Sequence, residues 1–160
     1  MFKNRKVFFY KNSPITAGGV LFYKKTENGL ELLLLNKKNK FEDIGGKTEF
    51  KDRNIIETIC REVSEETNNL IKKCDLIDRL KNSEPIYSYN SKYLIFLIEA
   101  DEFEKNLNKK DFQDVESKNK LKRTIKWIDY KEYLNFSKCR KLNFRLMKRN
   151  IFEKLKTCLY

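Results

Sequence analysis

Apolar and polar residues change their spacing several times along this chain, and each change marks an element. Pro14-Ile15-Thr16-Ala17-Gly18-Gly19-Val20-Leu21-Phe22-Tyr23 is a mostly apolar run that reads as a strand, with a glycine pair allowing a bulge or a close backbone approach. Asn28-Gly29 is a two-residue hairpin signal, and Leu30 to Leu35 supplies the returning strand. Lys37-Lys38-Asn39-Lys40 reads as a polar loop, after which Phe41-Glu42-Asp43-Ile44 leads into a second glycine pair, Gly45-Gly46. From Asn54 to about Thr67 the period becomes helical: Ile56, Ile59, Cys60 and Val63 recur at i, i+3, i+4 and i+7 and define one buried stripe. Asn68-Asn69 suits its end, because asparagine tolerates the left-handed conformation that closes a helix.

Pro85 to Tyr89 and Lys92 to Ala100 read as two paired strands around Asn90-Ser91, and Asp101 to Lys122 shows no regular spacing. Thr124 to Ile128 is a short strand. Lys138 to Leu159 reads as an amphipathic helix with Phe144, Met147, Ile151 and Leu155 on one side. Residues 1–13 are expected to form an N-terminal extension. Strands, helix, strands and helix in this order predict a mixed α/β (α+β) layer arrangement in one domain, which suits a length of 160 residues.

Composition narrows the chemistry. A hydrophobic content of 40% and a charged content of 36% describe a globular protein with a well-charged surface. The longest apolar run, Tyr93 to Ile98, is a strand rather than a membrane span, and no secretory signal is evident, so a cytoplasmic, reducing compartment is expected. Four dispersed cysteines without a Cys-x-x-Cys pair fit reduced thiols better than a zinc site. The absence of histidine excludes Ser-His-Asp and Cys-His catalysis and leaves proton transfer to carboxylates, lysines, tyrosines or metal-bound water. A net charge of +12 admits RNA as a partner, although the lysines read as scattered among acids and match the chain's bias toward Lys, Asn and Ile.

The informative segment is Gly45-Gly46-Lys47-Thr48-Glu49-Phe50-Lys51-Asp52, followed by Arg61-Glu62-Val63-Ser64-Glu65-Glu66-Thr67. At about 100° per residue, Glu62, Glu65 and Glu66 fall within an arc of roughly 100° beside the apolar stripe. Like charges at these spacings repel by about 0.2–0.5 kcal/mol per pair, so the cluster is unfavourable unless a cation neutralises it. Hard divalent ions prefer such oxygen ligands, and Mg2+ keeps waters while engaging substrate phosphates. Arg61 can orient a neighbouring carboxylate, and the glycine turn can offer a carbonyl ligand and phosphate-facing N–H groups. Solvated acids on a helix surface are the plain alternative.

These residues resemble the Nudix family, whose box runs Gly, five residues, Glu, seven residues, then Arg-Glu-aliphatic-any-Glu-Glu-any-Gly-aliphatic. Gly46 matches the first glycine and Arg61-Glu62-Val63-Ser64-Glu65-Glu66 matches the core. The glycine-pair strand, the Leu-rich strand and Trp127-Ile128 fit the surroundings, so the likeness spans roughly residues 14–135. Three departures stand out: Asp52 replaces the first Glu, eight residues rather than seven separate it from Arg61, and Asn68-Asn69 replaces Gly-aliphatic. The resemblance implies a Nudix-like α/β/α sandwich with a mixed central sheet, and a pyrophosphohydrolase in which Glu62, Glu65 and Glu66, helped by the Gly45 carbonyl, bind Mg2+ or Mn2+. Arg61 would hold a neighbouring acid. Glu62 ranks first as general base and Glu116, beside Asp114 on the loop before the Trp strand, second. Gly46 and Lys47 are placed against substrate phosphate.

The box reports the bond cut, not the molecule attached. A nucleoside-diphosphate-linked small molecule such as a nucleotide sugar, dinucleoside polyphosphate or modified NTP comes first. An mRNA 5′-cap (decapping) or a diphosphoinositol polyphosphate is the alternative, and a non-catalytic Nudix-fold binding module is a remote one. Tyr87, Tyr89, Lys92 and Tyr93 can stack a base and hold phosphate; packing within strands is the reading favoured for them.

Overall fold

The computed structural model describes residues 5–112, 115–116 and 122–160, with the backbone alone at Val115, Glu116 and Lys122. In chain order the elements are β1 (Phe8–Tyr10), β2 (Ser13–Ile15), β3 (Ala17–Thr26), β4 (Gly29–Lys37), β5 (Lys40–Glu42), β6 (Ile44–Lys47), α1 (Ile55–Glu66), α2 (Lys73–Lys81), β7 (Ile86–Ser88), β8 (Tyr93–Glu99), α3 (Glu102–Lys105), α4 (Lys109–Phe112), β9 (Val115–Glu116), β10 (Lys122–Asp129), α5 (Tyr130–Lys138), a 3-10 turn (Phe144–Met147) and α6 (Arg149–Cys158). The chain divides into two compact units: residues up to Val20 with Ile44–Ile98, and Leu21–Asp43 with Glu99–Tyr160.

In the first unit the expected N-terminal extension is a hairpin. β1 and β2 pair antiparallel around Lys11 and Asn12, whose φ angles of 45° and 66° are those of a type I′ turn made without glycine. The first half of β3 pairs antiparallel with β6, and here the two glycine pairs meet: Gly18 faces Gly46 and Gly19 faces Gly45. Helix α1 is capped by Asn54, where the helical period was expected to begin; its side chain accepts the Glu57 N–H at 2.9 Å. Ile59, Cys60 and Val63 are buried while Ile56 is half-buried, and Asn68 and Asn69 follow the helix at φ 54° and 63°. Helix α2, which the sequence reading passed over, buries Leu76 and Leu80. β7 and β8 pair antiparallel as expected, and Leu94 and Ile95 are buried.

In the second unit the hairpin turn is Glu27-Asn28 rather than Asn28-Gly29. Gly29 pairs with Thr26 as the first residue of β4, and its φ of 122° is what demands glycine there. A second I′-type turn, Lys38-Asn39 at φ 50° and 60°, joins β4 to β5. β10 pairs along β4 from Arg123 to Asp129, longer than the strand predicted, and also with β9. The stretch from Asp101 carries two short helices, and α3 opens with a capping box formed by Asp101 and Glu104.

The C-terminal helix is shorter than its periodicity suggests. Residues 130–138 form α5, and Phe41 then pulls residues 141–143 into an extended crossing: its N–H donates to the Lys141 carbonyl and its carbonyl accepts from Asn143, both at 2.8 Å. Leu142 and Leu146 are the buried anchors, while Phe144 and Met147, assigned by spacing to the apolar side, are exposed. Among the described residues, no helix is long and apolar enough to cross a membrane.

Candidate active site

The site lies within the first unit, where β6, the loop to α1 and the outward side of α1 converge. Its foundation is the absence of side chains at Gly45 and Gly46. A Cβ on Gly45 would strike the Gly18 carbonyl and the Gly19 Cα across the strand pair; one on Gly46 would overlap the Glu62 carboxylate. Glu62 therefore lies against the bare backbone of β6, with its side chain 15% exposed.

Arg61 organises the acids around this cradle. Its Nε donates to Asp52 Oδ1 at 3.1 Å and its Nη2 to Asp52 Oδ2 at 3.0 Å, the two-point geometry that matches a planar guanidinium to a carboxylate. Nη1 donates to Glu62 Oε1 at 2.9 Å and lies 3.5 Å from both Glu65 Oε2 and Glu49 Oε1. Nη2 also donates to the Lys47 carbonyl at 2.8 Å, tying the helix to the glycine strand. One guanidinium thus faces four carboxylates.

Asp52, the departure from the box, takes the role of principal partner to Arg61. Buried, it also accepts the Glu49 N–H and the Thr58 hydroxyl, each at 2.8 Å. Of the eight residues between Asp52 and Arg61, Arg53 and Asn54 precede α1 and the other six lie within it, so the helix is continuous up to Arg61. Thr58 was not identified from the sequence. Its signal was available: a polar residue beside Ile59 on the buried stripe needs a partner. Lys6 was missed as well; its Nζ donates to the Asp52 carbonyl at 2.8 Å, and its own carbonyl accepts the Thr48 hydroxyl at 2.5 Å. The N-terminal segment thereby straps the loop that carries Asp52.

Charge follows this geometry. Burial would lift the Asp52 carboxyl, but the donors from Arg61, Glu49 and Thr58 outweigh it and hold it below the usual aspartate range. At Glu62 burial prevails: the carboxyl is pushed up, Arg61 opposes the rise, and the charges of Glu65 and Glu66 add to it. Burial pulls the Arg61 guanidinium down, and the bonds to Asp52 and Glu62 more than reverse this, so it stays charged.

Glu62, Glu65 and Glu66 lie on one side of α1, as their spacing required; Glu65 is exposed and Glu66 half-buried. Among the described residues no three acids close on a single point as an ion site, because Arg61 draws Glu62 Oε1 and Glu65 Oε2 toward itself. The donor set nevertheless suits a hard cation: all the candidate donors are oxygen, Glu62 is crowded by two further acids, and Gly46 leaves the volume that its carboxylate fills. Lys47 is exposed at the end of β6. Glu116 lies in β9, in the second unit, with its side chain outside the described residues, and Asp114 lies outside them altogether. Among the tyrosines, Tyr93 is buried and Tyr87 donates its hydroxyl to the Pro14 carbonyl at 2.9 Å, so both pack within the strands. Tyr89 is exposed, edge-on to Tyr87.

No protein-family model matches the chain, and no curated protein matches it in sequence. Solved structures do. A C. elegans Ap4A hydrolase binary complex superimposes with a TM-score of 0.52 at 16% identity, covering 89% of this chain and 97% of the other. The C. elegans Ap4A hydrolase alone gives 0.50 at 15% identity, covering 91% and 99%. At such identities the likeness establishes the fold: the mixed α/β arrangement with a mixed central sheet expected from the Nudix resemblance.

Proposed function

We propose that this chain is a divalent-metal-dependent hydrolase that cleaves a phosphoanhydride bond in a nucleoside-diphosphate-linked small molecule. The observation that carries the reading is Glu62, a carboxylate seated in the Gly46 cradle, lifted by burial and by Glu65 and Glu66 and held in place by Arg61. Glu62, Glu65 and Glu66, with the Gly45 carbonyl, would hold Mg2+ or Mn2+. Such an ion, when bound, offsets charge on phosphoryl oxygens and makes water a stronger nucleophile. Arg61 fixes the rotamer of Glu62, and Asp52 fixes Arg61. Glu62, with its raised pKa, is suited to accept a proton from attacking water. Gly46 and Lys47 are the residues assigned to substrate phosphate.

The solved neighbours are Ap4A hydrolases, which supports trying dinucleoside polyphosphates first. A hydrolysis screen with Mg2+ or Mn2+ over dinucleoside polyphosphates, nucleotide sugars, NTPs, capped RNA and diphosphoinositol phosphates tests the reading. Activity on at least one substrate is expected, lost on chelation. Glu65→Gln should keep the fold and lower turnover by roughly 10²–10⁴-fold, the scale of a lost acid–base or metal-binding group. Wild-type rates in Glu65→Gln would remove the metal assignment.

A further inference from the structure

The even scatter of lysine among acids does not hold at the C-terminal end of the sequence. Residues 138–160 contain eight lysines and arginines against one acid, Glu153, so more than half of the net charge of +12 lies in 23 of 160 residues. That acid is paired with Arg149 at 2.7 Å, and the segment holds no other acidic side chain; Asp129 and Glu132 of the preceding elements line one cavity with Lys138, whereas Arg140 and Lys141 lie outside it.

The second unit fixes this basic segment in place. Arg145 turns inward: its Nε donates to buried Asp43 at 2.7 Å, and its Nη2 lies 3.6 Å from Glu42. Leu142 and Leu146 are buried, and Phe41 clamps residues 141–143 by two backbone bonds. What remains outside is Lys138, Arg140 and Lys141, with Phe144, 55% exposed. In the 3-10 turn side chains three apart lie on one side, so Met147, itself exposed, stands beside Phe144 as an apolar shelf.

Exposed basic side chains within a few residues of a solvent-facing aromatic ring, on a backbone already ordered, are what a single-stranded nucleic acid needs: cations for the phosphates and a ring face on which a base stacks. A duplex offers phosphates but keeps its bases stacked internally. An anionic lipid surface would favour a broad apolar helix face, whereas α6 buries its apolar positions Ile151 and Leu155.

We propose that the segment 138–149 is a binding surface for single-stranded RNA, in which Lys138 and Lys141 meet phosphates and Phe144 stacks a base. This surface stands independently of the phosphoanhydride reading.

The test is fluorescence anisotropy of the full chain with a labelled oligouridylate over a series of KCl concentrations. Binding that weakens with salt is expected. Lys138→Glu with Lys141→Glu should weaken it by roughly tenfold or more and reduce the salt slope by about 1 or more. Phe144→Ala should weaken it by about fivefold or more with the slope unchanged, the signature of a lost stack. Should the reversal lower the melting temperature, the Lys138→Gln, Lys141→Gln pair gives the same reading in graded form. Hydrolysis of a dinucleoside polyphosphate should stay at the wild-type rate in every variant, so failure of either reading is seen separately. No RNA binding, binding unchanged in the lysine variants, or equal binding of duplex and of Phe144→Ala would each overturn the proposal. Sedimentation with phosphatidylserine vesicles in place of RNA binding would overturn it in favour of a lipid surface.

Discussion

In each compact unit an arginine is bonded to a buried aspartate: Arg61 to Asp52 in the first, Arg145 to Asp43 in the second. Their guanidinium side chains are equally enclosed, at 14% and 13% exposed, yet their surroundings differ. Arg145 meets Asp43 at 2.7 Å and Glu42 at 3.6 Å, and with Phe41 it pins the crossing that follows α5. Arg61 meets Asp52 and Glu62 closely and has Glu65 and Glu49 at 3.5 Å, with Glu66 on the same side of the helix. Arg145 faces two acids and Arg61 four, of which Glu49 is also paired with Lys51 at 3.0 Å, so the surplus around Arg61 lies on the side of Glu62, Glu65 and Glu66. Acid in excess of what one guanidinium can satisfy is unfavourable for the fold alone and becomes favourable when a further cation arrives.

The sharpest way to break this comparison is to remove each aspartate. Asp43→Ala leaves Arg145 buried without its closest acid and should cost roughly 3–5 kcal/mol in urea denaturation. Asp52→Ala should cost less, because Glu62 and Glu65 can take up the guanidinium. Its turnover should fall about 10–100-fold, the scale for losing a group that orients a ligand. Equal destabilisation by both, with hydrolysis untouched in Asp52→Ala, would show that the two arginines do the same job.

A smaller effect separates the support of Asp52 from Asp52 itself. Thr58→Val keeps the shape but removes a donor from a buried carboxylate and should cost about 1–3 kcal/mol. Thr58→Ser, which restores the hydroxyl, should recover most of it in melting curves; no recovery would mean the methyl group, not the bond, matters.

The smallest effects are in pH. The Asp52 carboxyl is held below its usual value, so its contribution is present above the ordinary aspartate pKa of about 3.9 and is lost as pH falls through the folded value. Glu62 is raised, so without metal its contribution is present below the ordinary glutamate pKa of about 4.3 and is lost as pH rises through the folded value. Stabilisation by Mg2+, read as a shift in melting temperature, should therefore grow as pH rises through the Glu62 range, and Glu62→Gln should abolish that growth. A Mg2+ shift independent of pH would dissociate Glu62 from the ion.

Much of this site is readable from local pattern. The apolar stripe and Asn54 locate α1, helical spacing gathers Glu62, Glu65 and Glu66, and the glycine pairs announce a close approach. What pattern does not reveal is partnership across the chain. Asp52 reads as a defect in a motif until Thr58, Lys6 and the Glu49 N–H are seen around it. The C-terminal helix fails for the same reason, since Phe144, Met147, Ile151 and Leu155 keep helical spacing while a strand residue far upstream, Phe41, holds the intervening backbone extended. Helix α5 was within reach: Asp129 caps the Glu132 N–H at 2.8 Å, a local signal left unread.

Position 46 has an evolutionary corollary. The Glu62 carboxylate occupies the volume where any other residue would put its first side-chain carbon, and as the end of a flexible side chain it is what gives way, so a replacement there falls on the site rather than on the fold. Selection on the acidic helix is thus enforced at a residue that contributes no functional group, and drift at that codon would evict a carboxylate sixteen positions away without altering a single charge.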